Sequence, residues 1–220
     1  MKNQASPQSH ETKPDLLNGL WNHAAILGFF RREAERCRRT GSPLGVLIGD
    51  MDHLTRINKV HGPVVGDLVL EEVAGRLLSS VRPYDWIGRY GGATFLILAP
   101  GCPPPDVWRL GERLRAAIGD TPIAAPSGPL VVTASFGVAA WSATRNVPMD
   151  GDALLRACAA ALTESKRSGR NKVSFAPWQE YRQTMPSGQS HEQVAVERHS
   201  SPSGSKRGPI SFGEQLTDAK

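Results

Sequence analysis

Two strand-like runs on either side of a glycine pair constrain this chain more than any other feature. Trp86-Ile87-Gly88-Arg89-Tyr90 and Phe95-Leu96-Ile97-Leu98 flank Gly91-Gly92, a spacing that predicts a tight β-hairpin. The segments around it alternate in period. Asn22 can cap a helix whose apolar face runs through Ile26, Leu27, Phe30, Ala34 and Cys37, with Gly41 as its stop. Leu44 to Gly49 reads as a short buried strand, and Leu68, Val69, Val73, Leu77, Leu78 and Val81 recur at helical spacing. After the hairpin, Val107, Leu110, Leu114 and Ile118 mark another helix. Val131 to Ala140 predicts one strand, or two with a break near Gly137. Asp152 is the expected cap of a last helix that buries Leu154, Leu155, Cys158, Ala161 and Leu162 and stops at Gly169. Lys172 to Phe175 then closes the sheet. The order implies an α+β sandwich with a ferredoxin-like β-α-β-β-α-β core, enlarged by a helix and further strands.

Residues 1–14 are polar and form a flexible N-terminus in this reading, and residues 15–176 form the domain. From about Pro177 the chain turns to Ser, Gly, Pro, Gln and His, so 177–220 reads as a disordered tail. No apolar run approaches the roughly 18–20 residues that span a bilayer, and no secretory signal precedes the domain. Cys37, Cys102 and Cys158 are isolated and match neither a zinc spacing nor a disulfide framework, which points to a reducing cytoplasm. The 26 Lys and Arg against 21 Asp and Glu leave a charge of +5, suited to a polyanionic ligand without selecting one.

Asp50 and Asp52 stand at the carboxyl end of the first strand and share a face if the strand continues that far. A magnesium ion held by one or two carboxylates plus substrate phosphates is one reading. Solvated loop aspartates are the other, and spacing alone favours it. His53 and His61 lie nearby, but spacing does not show that they converge. Arg31 to Arg39, with Glu33 and Glu35 interleaved, reads as a solvated helix face rather than a nucleic-acid patch. Trp108, Trp141 and Trp178 read as packing residues.

Four collinear motifs resemble the GGDEF family, the diguanylate cyclases. They are D-L-L-N-G-L-W-N-H at Asp15–His23, D-M-D-H-L-T-R-I-N-K-V-H-G-P-V-V-G-D with the later R-Y-G-G-A-T-F, S-F-G-V-A at Ser135–Ala139, and K-R-S-G-R-N at Lys166–Asn171. The resemblance covers nearly all of residues 15–176. It implies a fold like the palm of polymerases, with two domains facing each other, each holding GTP, to make cyclic di-GMP by two-metal chemistry. It also implies a departure. Ala93 and Thr94 stand where active members carry two acidic residues, and neither can neutralise a divalent ion or act as a base near pH 7. Losing one transition-state stabiliser typically costs about 10²–10³ in rate, and here two are gone. Leu54-Thr55, Lys59 and Gly62-Pro63 depart from the family pattern as well. On this reading no catalytic set is intact, Asp50 is a vestigial metal ligand, with Asp52 as a second one, and no cofactor is required, Mg²⁺ entering only with GTP.

The resemblance carries GTP-binding roles to Asn58 and Asp67 for guanine and to Lys166 and Arg170 for phosphate. The alternative is that Asn58 caps a turn, Asp67 caps the next helix, and the two cations answer a helix dipole. It also matches Arg82-Pro83-Tyr84-Asp85 to the family's R-x-x-D inhibitory site for cyclic di-GMP, with Arg113 as the second arginine. Arginine forks suit phosphates and guanine O6/N7, and a carboxylate accepts from guanine N1 and N2. The favoured expectation is a catalytically inactive receptor or interaction module for cyclic di-GMP that works with a protein partner or as a homodimer. Fourteen residues ahead of the domain leave no room for a sensory module, which favours a receiver of signal. A weak or conditional diguanylate cyclase and a nucleotide-independent scaffold are the competing expectations. Nucleic acid and membrane are not expected as partners.

Overall fold

The structure, a computed structural model, describes residues 19–143 and 148–176. The expected N-terminus and tail, Trp178, and Asp15 to Asn18 of the first motif lie outside them. Asn22 opens α1 (His23–Thr40): its side-chain oxygen accepts the Ala25 N–H at 2.9 Å, and Gly41 ends the helix in the left-handed region at φ 70°. Then follow β1 (Leu44–Met51), α2 (Leu54–His61), α3 (Pro63–Ser79), the hairpin β2 (Trp86–Gly91) and β3 (Thr94–Pro100), α4 (Pro104–Gly119), β4 (Ala134–Trp141), α5 (Gly151–Arg167) and β5 (Val173–Phe175).

The sheet order is β2-β3-β1-β4-β5, antiparallel except for the parallel pair β4-β5. Its first four strands have the ferredoxin-like order, as expected. Side chains alternate across β1, so Val46 and Ile48 join the core beneath α1 and α5, whereas Leu47 and Met51 join the core beneath α3 and α4. The two cores hold the sheet between helical layers.

Several expectations need correction. The strand expected from Val131 begins at Ala134, with Val131 itself 73% exposed, and it runs through Gly137 without a break. Gly137 is required by packing: a Cβ there would lie 2.1 Å from both the Cys158 carbonyl oxygen and the Leu162 nitrogen of α5. The cap of α5 is Asp150, which accepts the Ala153 N–H at 3.0 Å, and Asp152 sits in the first turn. Gly91 is the last residue of β2, so the hairpin turn falls on Gly92 (φ 47°) and Ala93. Val81 lies beyond the end of α3, and Leu78 is at the edge of exposure. Helix α2 has no fully buried residue, but Leu54 and Ile57, three apart, are partly buried against the core. Trp108 is 46% exposed on α4 and is not a core residue, whereas Trp141 is buried. The basic face of α1 is solvated as expected, with Arg36 on Glu33 and Arg38 on Glu35.

Arg76 ties α3 to the end of α4. Its guanidinium donates to the Ile118 carbonyl at 3.0 Å and the Pro122 carbonyl at 3.3 Å while pairing with Glu72 at 2.9 Å. Helix α4 has no basic residue in its own last turn, so this arginine supplies the missing donors.

Candidate functional site

At the hairpin end of the sheet, Asp50 faces Thr94 across the β1-β3 ladder. The Thr94 hydroxyl donates to Asp50 Oδ2 at 2.7 Å, and the Lys166 ammonium, from the last turn of α5, donates to Asp50 Oδ1. Both carboxylate oxygens are therefore engaged, one by a cation. The Ala93 carbonyl accepts the Met51 N–H at 3.2 Å.

Asp52 does not share this environment. It lies past the end of β1 and is 4% exposed. Its Oδ1 accepts the Ser135 hydroxyl at 2.8 Å, and its Oδ2 accepts the Thr133 hydroxyl at 2.8 Å and the Asn171 N–H at 3.0 Å. A carboxylate enclosed by three donors is neither a solvated loop aspartate nor presented to a metal ion.

Asn58 and Asp67 are exposed, one on α2 and one on α3. Neither is a cap. Asn58 lies inside α2, and α3 starts at Pro63 with Gly62 as its cap, four residues before Asp67. The Asn58 carboxamide rests on Gly66, where a Cβ would meet its Oδ1 at 1.6 Å, so the helix pair brings Asn58 next to the residue preceding Asp67. Arg170 lies three residues past α5 in the left-handed region at φ 63°, so helical spacing does not align it with Lys166. His53 caps α2 without a side-chain bond and is exposed, while His61 meets Ser127 at 3.1 Å. Among the described residues no three His, Cys, Asp or Glu side chains converge to hold a metal ion.

Behind the hairpin, a cavity of about 180 Å³ is lined by Arg82, Asp85, Cys102, Asp106, Arg109 and Arg113 among others. The R-x-x-D pair and the arginine expected from α4 thus meet at one cavity. Asp85 Oδ2 accepts the Arg82 N–H at 2.9 Å, whereas Asp85 Oδ1 is buried with no hydrogen-bond partner. Burial pushes the Asp85 carboxyl above the usual carboxylate range, opposed by the Arg82 N–H bond and the charges of Arg82 and Arg113. The Arg82 guanidinium lies 5.8 Å from the Tyr84 ring centroid. Arg113 Nε donates to the Ser80 carbonyl at 3.0 Å. Burial also raises the Cys102 thiol to about 11, so it is a neutral wall rather than a nucleophile. Arg109, one turn before Arg113 and paired with Asp106 at 3.1 Å, was missed by sequence reasoning. The four-residue spacing on α4 was the signal for it.

The description "Diguanylate cyclase, GGDEF domain" matches residues 12–172. This chain belongs to the GGDEF family. The diguanylate cyclase DgcP of Pseudomonas aeruginosa is 36% identical over 169 residues, covering 77% of this chain and 25% of DgcP. The chain thus spans about a quarter of that relative. The GGDEF domain of DgcB from Caulobacter crescentus, solved in complex with c-di-GMP, superposes with a TM-score of 0.70 at 27% identity, covering 76% of this chain and 98% of that one. Diguanylate cyclase SiaD from Pseudomonas aeruginosa, solved with its activator SiaC, gives 0.68 at 34% identity over 74% of this chain and 61% of SiaD. As a GGDEF domain this one has a hairpin that offers no carboxylate, and its nearest acid, Asp50, is already paired with an ammonium. The residues present do not fit a resident divalent ion. No helix of the described residues is long and apolar enough to cross a membrane.

Proposed function

We propose that this GGDEF domain is a receptor for cyclic di-GMP without cyclase chemistry. The observation that carries the reading is the cavity of Arg82, Asp85 and Arg113, where a buried carboxylate oxygen lacks a donor beside two guanidinium groups. A guanine N1–H or N2–H would supply that donor, and the arginines would fork onto guanine O6/N7 and phosphate. An unsatisfied buried acceptor is costly until a ligand meets it, so ligand recognition has a ready driving force. The complex of c-di-GMP with the DgcB domain supports the choice of ligand. At the other end, Ala93, Thr94 and the Asp50–Lys166 pair argue against catalysis. A protein partner suits such a receptor, as SiaD has SiaC.

A second reading concerns GTP. Asn58 and Asp67 serve no capping role, so capping does not account for them; on this reading they and Lys166 and Arg170 would hold GTP without turnover. Titration calorimetry tests the first reading. Cyclic di-GMP should release heat with the wild-type chain at tens of micromolar ligand and far less with Arg82→Ala; a silent wild type overturns it. Incubation with GTP and Mg²⁺ or Mn²⁺ should give no pppGpG or cyclic di-GMP. A product that disappears in Asp50→Ala would favour the conditional cyclase.

A further inference from the structure

Asp52 is a buried charge that neither ligand region uses. Its three donors come from separate places in the chain. Thr133 and Ser135 lie at the start of β4, and the third donor is the backbone N–H of Asn171, in the loop between α5 and β5. The Asp52 N–H itself donates to the Thr133 carbonyl at 2.8 Å, which fixes where the carboxylate sits.

The loop that Asp52 holds is conformationally unusual. Arg170 and Asn171 are consecutive non-glycine residues in the left-handed region, at φ 63° and φ 45°. Side chains disfavour that region, so two in succession persist only where surrounding contacts fix them. Three contacts do so here. The Arg170 N–H donates to the Ser165 carbonyl at 3.0 Å, Arg115 Nη1 donates to Asn171 Oδ1 at 3.0 Å, and the Asn171 N–H reaches Asp52. Ser165 is fully buried and anchored to the Phe136 carbonyl at 2.7 Å. Of the three contacts, the one from Arg115 brings a charge to the Asn171 side chain, and the one to Asp52 brings a charge to the backbone of the turn and ties it to the residue that follows β1.

We propose that Asp52 is a positioning residue for Arg170. Its carboxylate, through the Asn171 N–H, holds the left-handed turn that presents the Arg170 guanidinium to an anionic ligand at the end of the sheet where Lys166 meets Asp50. The identity of that ligand as GTP rests on the nucleotide reading above; the hold on the loop does not. The chemistry explains the carboxylate. Three donors converge on two oxygens, and an apolar side chain would leave all three unmet. An asparagine preserves most of the set, because the Ser135 hydroxyl can rotate to accept from its amide while its oxygen keeps the Asn171 N–H.

The test uses the full chain. Asn171 is exposed as a residue, yet in the wild type its amide should exchange slowly, as read by NMR hydrogen exchange. Exchange at the rate of a free loop amide overturns the proposal without any variant. Asp52→Ala should release the amide and open tryptic cleavage after Arg170, mapped by mass, whereas Asp52→Asn should restore both to near wild type. Asp52→Ala that folds by circular dichroism and keeps the Asn171 amide protected also overturns it. For GTP, Asp52→Ala and Arg170→Ala should weaken binding by similar factors, with the double variant no weaker than either alone, and cyclic di-GMP titration should be unchanged by Asp52→Asn. If the wild type does not bind GTP, the nucleotide reading fails while the exchange data still test the hold on the loop.

Discussion

The two ends of this domain treat charge in opposite ways. At the hairpin, Asp50 has both oxygens met from within the protein, by the Thr94 hydroxyl and the Lys166 ammonium. At the cavity behind it, Asp85 has one oxygen bonded to Arg82 and one oxygen with no partner. A carboxylate already neutralised gains little from a metal ion, whereas a buried acceptor without a donor gains from any ligand that brings one. The hairpin end is therefore closed electrostatically, and the cavity end, the ligand site of the proposed receptor, is open. Residue identity alone does not distinguish the two, since each retains an aspartate beside a cation.

The comparison can be broken most severely at the hairpin. Ala93→Asp combined with Thr94→Glu adds two carboxylates beside Asp50; in electron paramagnetic resonance, Mn²⁺ binding should appear in this variant and not in the wild type. If the wild type itself binds Mn²⁺, the closed end is wrongly described. At the open end, Arg82→Ala removes charge-assisted hydrogen bonds to the ligand and should weaken cyclic di-GMP binding by roughly tenfold to a hundredfold in calorimetry. Arg113→Ala should cost less, because Arg113 is partly spent on the Ser80 carbonyl.

Asp85 sharpens the contrast through pH. Its carboxyl titrates above the usual range because of burial, and guanine donors need the ionised form. Affinity for cyclic di-GMP should fall as pH drops through that raised pKa, and Asp85→Asn should abolish the dependence along with most of the affinity. Stability runs the other way. A raised carboxyl pKa carries no cost below the unfolded value and a growing one as pH rises through the folded value. Asp85→Asn keeps an oxygen for the Arg82 N–H and should hold or raise the Tm at neutral pH in scanning calorimetry. The smallest effect belongs to Lys166→Met, which uncovers a partly exposed ion pair and should lower stability by about 0.2–1 kcal/mol in urea denaturation.

The sequence was most legible where burial repeats. The apolar faces of α1, α4 and α5 and the strands β1 and β3 follow from periodicity, and the grouping of the R-x-x-D pair with Arg113, which line one cavity, follows from the resemblance to the family. Helix α2 was illegible because it is short and its inward face is only Leu54 and Ile57, neither of them fully buried. Gly137 looked like a break because the reason for it, the backbone of α5 lying on β4, is a contact between segments far apart in sequence. Asp52 was misjudged for the same reason. Its donors come from residues 133, 135 and 171, and nothing local distinguishes it from Asp50.

Ahead of α1, Trp21 lies parallel to β2 as a single bridge to Gly88, its N–H on the Ile87 carbonyl at 3.0 Å and its carbonyl taking the Arg89 N–H at 2.8 Å. Gly88 permits this closeness, since a Cβ there would stand 2.8 Å from the Trp21 carbonyl oxygen. The bridge has a mechanical meaning. Tension on the chain before Leu20 would load these two hydrogen bonds in shear along the edge strand of the hairpin, before any of it reached α1. The strand that leads into the hairpin turn is thereby the first element to feel a pull from upstream.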